Sequence, residues 1–183
     1  MDGHGQTAAR TQGQTALGHH IGVLGHTHPE LLGRPFGGGG LPAKKNTWIE
    51  NGVLTQLFYD RYWAEKQGKE PTGWPSSIII EGENGTLDDL ISNTDRAVLI
   101  TRFWYIRFVD PQSLLLTGLT RDGTFWVENG RIQHAIKNFR FNESPMSVLN
   151  KITDMSESVH VGGSMVPAIR ASEFTFSSLS DAV

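Results

Sequence analysis

From Asn46 onward the chain alternates short apolar runs with turn-forming dipeptides, a pattern that predicts strands over most of its length. The pentapeptide Trp48-Ile-Glu-Asn-Gly52 returns as Trp126-Val-Glu-Asn-Gly130. Asn-Gly behind an alternating run marks a hairpin, because both central residues of a type I′ turn need positive φ and these two tolerate it best. The flanking sequences do not match, so the copies read as two hairpin tips of one design and not as a duplicated domain. Asn46–Glu50 and Val53–Phe58 flank the first tip, and Ser77–Glu81 is a short buried strand. Ala97–Val109 (AVLITRFWYIRFV) reads as one long central strand. Strict alternation within it places Arg102, Trp104, Ile106 and Phe108 on one face and Phe103, Tyr105, Arg107 and Val109 on the other. Ser113–Thr120, Thr124–Glu128 and Arg131–Ile136, parted by Asp122-Gly123 and Asn129-Gly130 and followed by Lys137–Phe141, have the spacing of a β-meander.

Short helices interrupt the strands. Tyr59–Gln67 ends at Gly68, a suitable C′ residue, with Pro71 beyond. Thr86-Leu-Asp-Asp89 is a capping box with Asp in place of Glu, opening a helix to Ser92 or Asn93. Ser144-Pro145 supplies an N-cap and an N1 proline for a helix through Ile152. Ser164–Phe176 returns to strand. The fold class expected is α+β, predominantly antiparallel β, a partly closed barrel or sandwich with about three short helices.

Residues 1–40 differ in kind. They are rich in Gly, Gln, Thr and His, hold few large apolar residues and end in Gly37–Gly40. Such a segment buries too little apolar area to offset its ordering entropy, so it is expected as a flexible low-complexity arm before a folded domain at 41–183.

Composition narrows the function classes. The formal charge of −3 gives no broad basic field for a phosphate backbone, which argues against direct nucleic-acid binding. The absence of cysteine removes disulfides, Cys-based zinc sites and thiol nucleophiles together. No apolar run approaches the roughly 20 residues of a membrane helix, and the start lacks the order of a secretory signal, so a cytoplasmic protein without membrane contact is expected.

Candidate chemistry is sparse. Five of the seven histidines lie in the arm, where His19, His20, His26, His28 and Glu30 could meet a metal. The H-E-x-x-H pattern that sets two imidazoles on one helical face is absent, and Pro29 opposes a helix there, so no metal ligand is assigned. His134 and His160 sit in strands as surface or satisfied sheet residues. There is no G-x-S-x-G elbow, and Gly37–Gly40 lacks a P-loop lysine, so no catalytic residue is assigned. More informative are Arg102, Arg107, Lys137 and Arg140, cations inside aromatic strands where burial requires a partner. Either they pair with carboxylates such as Asp110, Asp122 and Glu143, or they face a groove. In the second case Arg102, Tyr105, Arg107, Asn138 and Arg140 are peptide-groove candidates, suited to an extended peptide bound by strand addition.

The ordered segments ENGVL, YDRYWAEKQG and PTG, then LLLTGLTRDGTFWVENGRI, KNFRFNESPMSVL and VPAIRASEFTFSSLSDAV, resemble the C-terminal domain of the TldD/PmbA proteins. That family includes TldE-type proteins and is also called microcin-processing peptidases or modulators of DNA gyrase. The resemblance runs from about Arg34 to Val183. It implies a β-rich domain in a cytoplasmic assembly of two related subunits, a zinc metallopeptidase and a partner without metal, that trims unfolded peptides in an enclosed cavity. The metal-bearing type holds its zinc with the pattern H-E-x-x-x-H on an N-terminal helix and with a cysteine of the C-terminal domain; this chain has neither. Where the cysteine would be sought, Val161-Gly-Gly-Ser-Met165 offers Ser164 and Met165, poor zinc ligands. The resemblance therefore implies the TldE-like type, with no cofactor in this chain, zinc in a TldD-like partner, and peptide as substrate. Residues 1–33 read like another reading frame or an imperfect gene start, which would make the chain a truncated product. The alternatives are a stand-alone metal-dependent peptidase using the His-rich arm and a non-functional gene fragment.

Overall fold

The computed structural model describes residues 23–25, 35–75 and 77–180, so most of the expected arm, 1–22 and 26–34, lies outside the described residues. Within it, Val23–Gly25 forms β1, paired antiparallel with both β2 (Asn46–Thr47) and β5 (Ile78–Ile80). The first Asn-Gly tip joins β3 (Ile49–Glu50) to β4 (Val53–Leu54), with Asn51 at φ 51° and Gly52 at 73°, as a type I′ turn requires. The second is the same device. Asn129 at 53° and Gly130 at 73° join β9 (Thr124–Glu128) to β10 (Arg131–Ala135).

The long apolar run is not one central strand. It divides into β6 (Arg96–Ile100) and β7 (Phe103–Asp110), which lie in different sheets. Opposite them, β8 (Leu115–Thr120) and β9 leave Arg121–Gly123 between them. Ile100 pairs with Thr124 and Phe103 with Thr120, so two residues face three across the break. Asp122, at φ 60°, takes up the extra residue and the ladder bends there. Thr101 N–H still donates to Gly123 O at 3.0 Å, and Arg121 N–H to Arg102 O at 3.0 Å, so pairing carries across the corner. The expected meander is thus folded in two. One side has the order β10-β9-β6; the other has β14-β11-β8-β7, with β11 at Asn138–Glu143 and β14 at Phe176–Ser180. There β7 has β8 as its one neighbour and is an edge.

The remaining sheet has the order β12-β13-β5-β1-β2, where β12 is Ile152–Val161 and β13 is Ser164–Ala171. Its β13 and β5 meet in parallel at Met165 and Ile79. The architecture is α+β with antiparallel pairing dominant; the sheets are sandwich-like, and no barrel closes among the described residues.

The helices follow their local signals closely. Asp60 caps α1 (Arg61–Gln67) by accepting from Trp63 N–H at 2.8 Å, and Gly68 ends it at φ 60°. The capping box at α2 (Leu87–Ser92) is complete: Asp89 N–H donates to Thr86 Oγ1 at 3.2 Å and Thr86 N–H to Asp89 Oδ2 at 2.7 Å. Arg170 fastens this helix to the sheet, donating to Asp154 Oδ2 at 2.9 Å and to Asn93 O at 2.8 Å. The third helix, α3 (Pro145–Leu149), is shorter than expected because Ile152 already begins β12. Ser144 does not cap it; its hydroxyl donates to Ser113 O at 3.1 Å.

Among the described residues the buried apolar ones are Ala64, Val127, Phe141, Ile152 and Met155. Phe141 lies directly opposite Gly118, and a Cβ on Gly118 would come within 2.6 Å of its ring. Phe103 and Phe174 stand 5.0 and 5.4 Å from Phe141, edge-on, a favourable aromatic geometry. Glu143 is buried beside them and ties down the approach to β14, accepting from Ser144 N–H at 3.0 Å and Thr175 N–H at 3.0 Å. Burial pushes its carboxyl up, but the donors of Ser144, Thr175 and Ser147 together outweigh burial and hold it below the ordinary glutamate range.

Gly118→Ala is expected to destabilise the domain by about 1–3 kcal/mol, because the Phe141 ring must move. An unchanged denaturant midpoint would show that the ring has room. For Glu143 the folded pKa is lowered, so its contribution is present above the ordinary glutamate range and lost as pH falls through the lowered value. The Tm gap between the native chain and Glu143→Gln should therefore hold from neutral pH down to the ordinary glutamate range and narrow as the pH is carried below it, and a gap that stays constant well below that range contradicts this role.

Candidate functional site

The site begins with an irregularity in β7. Trp104 pairs with Leu119 and Arg107 with Thr117, so three steps on β7 match two on β8. The extra residue is absorbed by a bulge in which Tyr105 takes φ 56°. A bulge shifts the pleat by one, so Arg107 lies on the same face as Trp104 and not opposite it, correcting the strict alternation expected. Arg140 of β11 also pairs with Leu119 and so joins the row of Trp104. The opposite face of the same sheet carries Phe103 and Phe141.

Each cation is held differently. Arg102, at the corner, pairs with Asp122 and places its guanidinium 4.4 Å from the Trp104 ring centroid. Arg121 approaches Asp122 at 3.6 Å and the Trp104 ring at 5.5 Å. With Arg102 and Asp122 about half exposed, the ion pair adds at most ~1 kcal/mol, and its larger effect is to position Trp104. Arg107 stacks 4.1 Å from the Tyr105 ring centroid and donates to the Tyr105 hydroxyl, which offsets part of the cost of positive φ at a bulky residue. Among the described residues neither Arg107 nor Arg140 has a carboxylate partner. Asp110 is turned onto its own loop, accepting from Ser113 Oγ at 2.6 Å and Gln112 N–H at 3.0 Å, and those bonds, Ser113 first, lower its pKa.

Asn138 is placed elsewhere. Its Oδ1 accepts from Thr120 Oγ1 at 3.2 Å and Thr124 Oγ1 at 3.0 Å, and Phe139 N–H donates to Thr120 Oγ1 at 2.9 Å. Thr120 is fully buried, so this network braces the corner between β8, β9 and β11. The structure thus gathers Arg102, Tyr105, Arg107 and Arg140 around the outer strand and assigns Asn138 to the support beneath. Sequence reasoning misses Trp104 and Arg121 as members. In the sequence Trp104 is one more apolar residue of an aromatic run, and Arg121 is brought to it only by the register across the corner.

Other candidates are weaker. His134 on β10 and His160 on β12 are exposed on different sheets, and no group of three metal-ligating side chains gathers among the described residues. The histidines expected in the arm lie outside the described residues. A shallow cleft lined by Leu87, Leu90, Ile91, Val98 and Leu99 has Arg170 at its rim, already committed to Asp154, Asn93 and Thr94.

Comparison with known proteins agrees with this fold. Over 137 residues the chain is 26% identical to the metalloprotease PmbA of Escherichia coli O157:H7, covering 70% of this chain and 28% of that protein. Over 143 residues it is 24% identical to a metalloprotease TldD homolog of Buchnera aphidicola subsp. Acyrthosiphon pisum, covering 69% of this chain and 28% of that one. The crystal structure of TldE from Thermococcus kodakarensis superposes with a TM-score of 0.76 at 21% identity, covering 90% of this chain and 41% of that one. The chain therefore spans under a third of the length of these two metalloprotease relatives. Residues 9–178 match the PmbA/TldA metallopeptidase C-terminal domain, starting upstream of Arg34, where the sequence motifs begin, and the chain belongs to that family.

Proposed function

We propose that the chain acts as the C-terminal domain of a TldE-like subunit without metal, which shapes a peptide cavity and docks a zinc-bearing TldD-like partner in the proteolysis of unfolded peptides in the cytoplasm. The observation that carries this is the chemistry on offer: 183 residues without a cysteine, and two described histidines standing on different sheets. These residues do not fit a hydrolytic zinc site, which draws on nitrogen, thiolate and carboxylate ligands converging on one point. What the domain can do is hold an extended chain. The open face beside β7 offers Trp104 as an apolar contact and Arg107 and Arg140 as donors, while Arg102 and Arg121 keep the indole in place. The exposed Ile106 and Phe108 on the same strand, and Phe58 and Trp74 elsewhere, are apolar surface of the kind a docking partner covers.

Affinity capture of the full chain from its source cell should co-isolate a TldD-like subunit, and peptidase activity in that eluate should vanish on chelation. The purified chain alone should leave an unstructured peptide intact. Cleavage by the isolated chain, with one tightly held metal per molecule, would overturn the proposal in favour of a stand-alone peptidase.

A further inference from the structure

The open face of the four-stranded sheet is basic on a chain whose net charge is −3. Arg102, Arg107, Arg121 and Arg140 gather around Trp104, and the acids beside them are already engaged: Asp122 by Arg102 and Arg121, Asp110 by Ser113 and Gln112. Of these four arginines, Arg107 and Arg140 are the two without a carboxylate partner among the described residues. The register makes them neighbours on this face. Arg107 sits opposite Thr117 and Arg140 opposite Leu119, on strands two apart and offset by two residues, so their backbones are about 10 Å apart across the sheet and about 7 Å along it, about 12 Å in all. Side chains on one face of an extended peptide recur every ~7 Å. Two guanidinium groups at this separation, each on a long flexible stem, can therefore meet carboxylates spaced two to four residues apart.

The bulge makes this possible. Without the extra residue at Tyr105, alternation would send Arg107 to the side of Phe103 and Phe141. A strained backbone at an exposed tyrosine has no packing reward of its own here: Tyr105 is 58% exposed and contacts Arg107. Its effect is to aim one cation.

We propose that this face selects acidic extended peptides, with carboxylates of the peptide paired to Arg107 and Arg140 and an apolar side chain laid on Trp104. The proposal rests on the peptide-handling role above and deepens it by naming a substrate class. Dye-labelled Gly-Ser peptides carrying three spaced glutamates, three glutamines or three lysines are titrated against the full chain and followed by anisotropy. The glutamate peptide should bind about tenfold more tightly than the glutamine peptide in dilute buffer, with the preference shrinking as salt approaches ~0.5 M. Arg107→Gln and Arg140→Gln should each remove about threefold of that preference and together all of it, with each variant still folding cooperatively and binding the glutamine peptide as the native chain does, while Arg131→Gln on β10 should leave the preference intact. Equal binding of glutamate and glutamine peptides overturns the acidic preference and leaves peptide handling standing. No binding of any peptide overturns both.

Discussion

Antiparallel partners must match residue for residue, and at one place in this domain they do not: Thr101 and Arg102 face Arg121, Asp122 and Gly123. The chain absorbs the surplus by placing Asp122 at positive φ, and the sheet bends. The bend brings the ends of β8 and β9 together, so the Thr120 and Thr124 hydroxyls come within 2.9 Å and need a common acceptor, which Asn138 provides. It also parts β6 from β7, leaving β7 with one neighbour and its face open. The Arg102–Asp122 pair sits on the outside of the corner and holds Trp104 over that face. A count of three against two thus sets the buried network, the exposed strand and the cation cluster together.

Few side chains are buried in return. Among the described residues the buried apolar set is Ala64, Val127, Phe141, Ile152 and Met155, while Phe36, Phe108 and Leu179 are each 63% exposed and Trp74 72%. Large apolar side chains left in water in that number exceed what scattered surface residues account for. Stability then leans on specific polar clamps. Glu143 fixes the approach to β14, and Arg170 ties α2 to β12 and β13 by donating to Asp154, Asn93 and Thr94. The same balance fits a piece that abuts another surface in a longer relative, the premise of the docking proposed here.

Local signals were legible because their chemistry is local. Asn51-Gly52 and Asn129-Gly130 make type I′ tips, Thr86 and Asp89 cap each other, and Gly68 ends α1 in the left-handed region, each read from neighbours within five residues. The family was legible from ordered motifs, and the antiparallel α+β class from the density of turns. The edge position of β7 was not, because Ala97–Val109 is apolar on both faces whether its neighbours are strands or water. The face of Arg107 depends on a bulge that no residue in TRFWYIRF announces, since Tyr105 is an unfavourable choice for positive φ. Ser144-Pro145 had the spelling of an N-cap, but tertiary contact with Ser113 claimed the hydroxyl first.

The bulges also bear on how a peptide would meet this strand. Strand addition needs an uninterrupted row of outward N–H and C=O groups, and β7 breaks that row twice, between Trp104 and Arg107 and again between Phe108 and Asp110. Such breaks protect an exposed apolar edge from pairing with another copy of the chain. They equally disfavour the continuous ladder that strand addition would give a bound peptide. Side-chain recognition on the open face does not suffer from them; it depends on them, because the first break carries Arg107 to the side of Trp104 and Arg140. The geometry that blunts the edge is the one that equips the face.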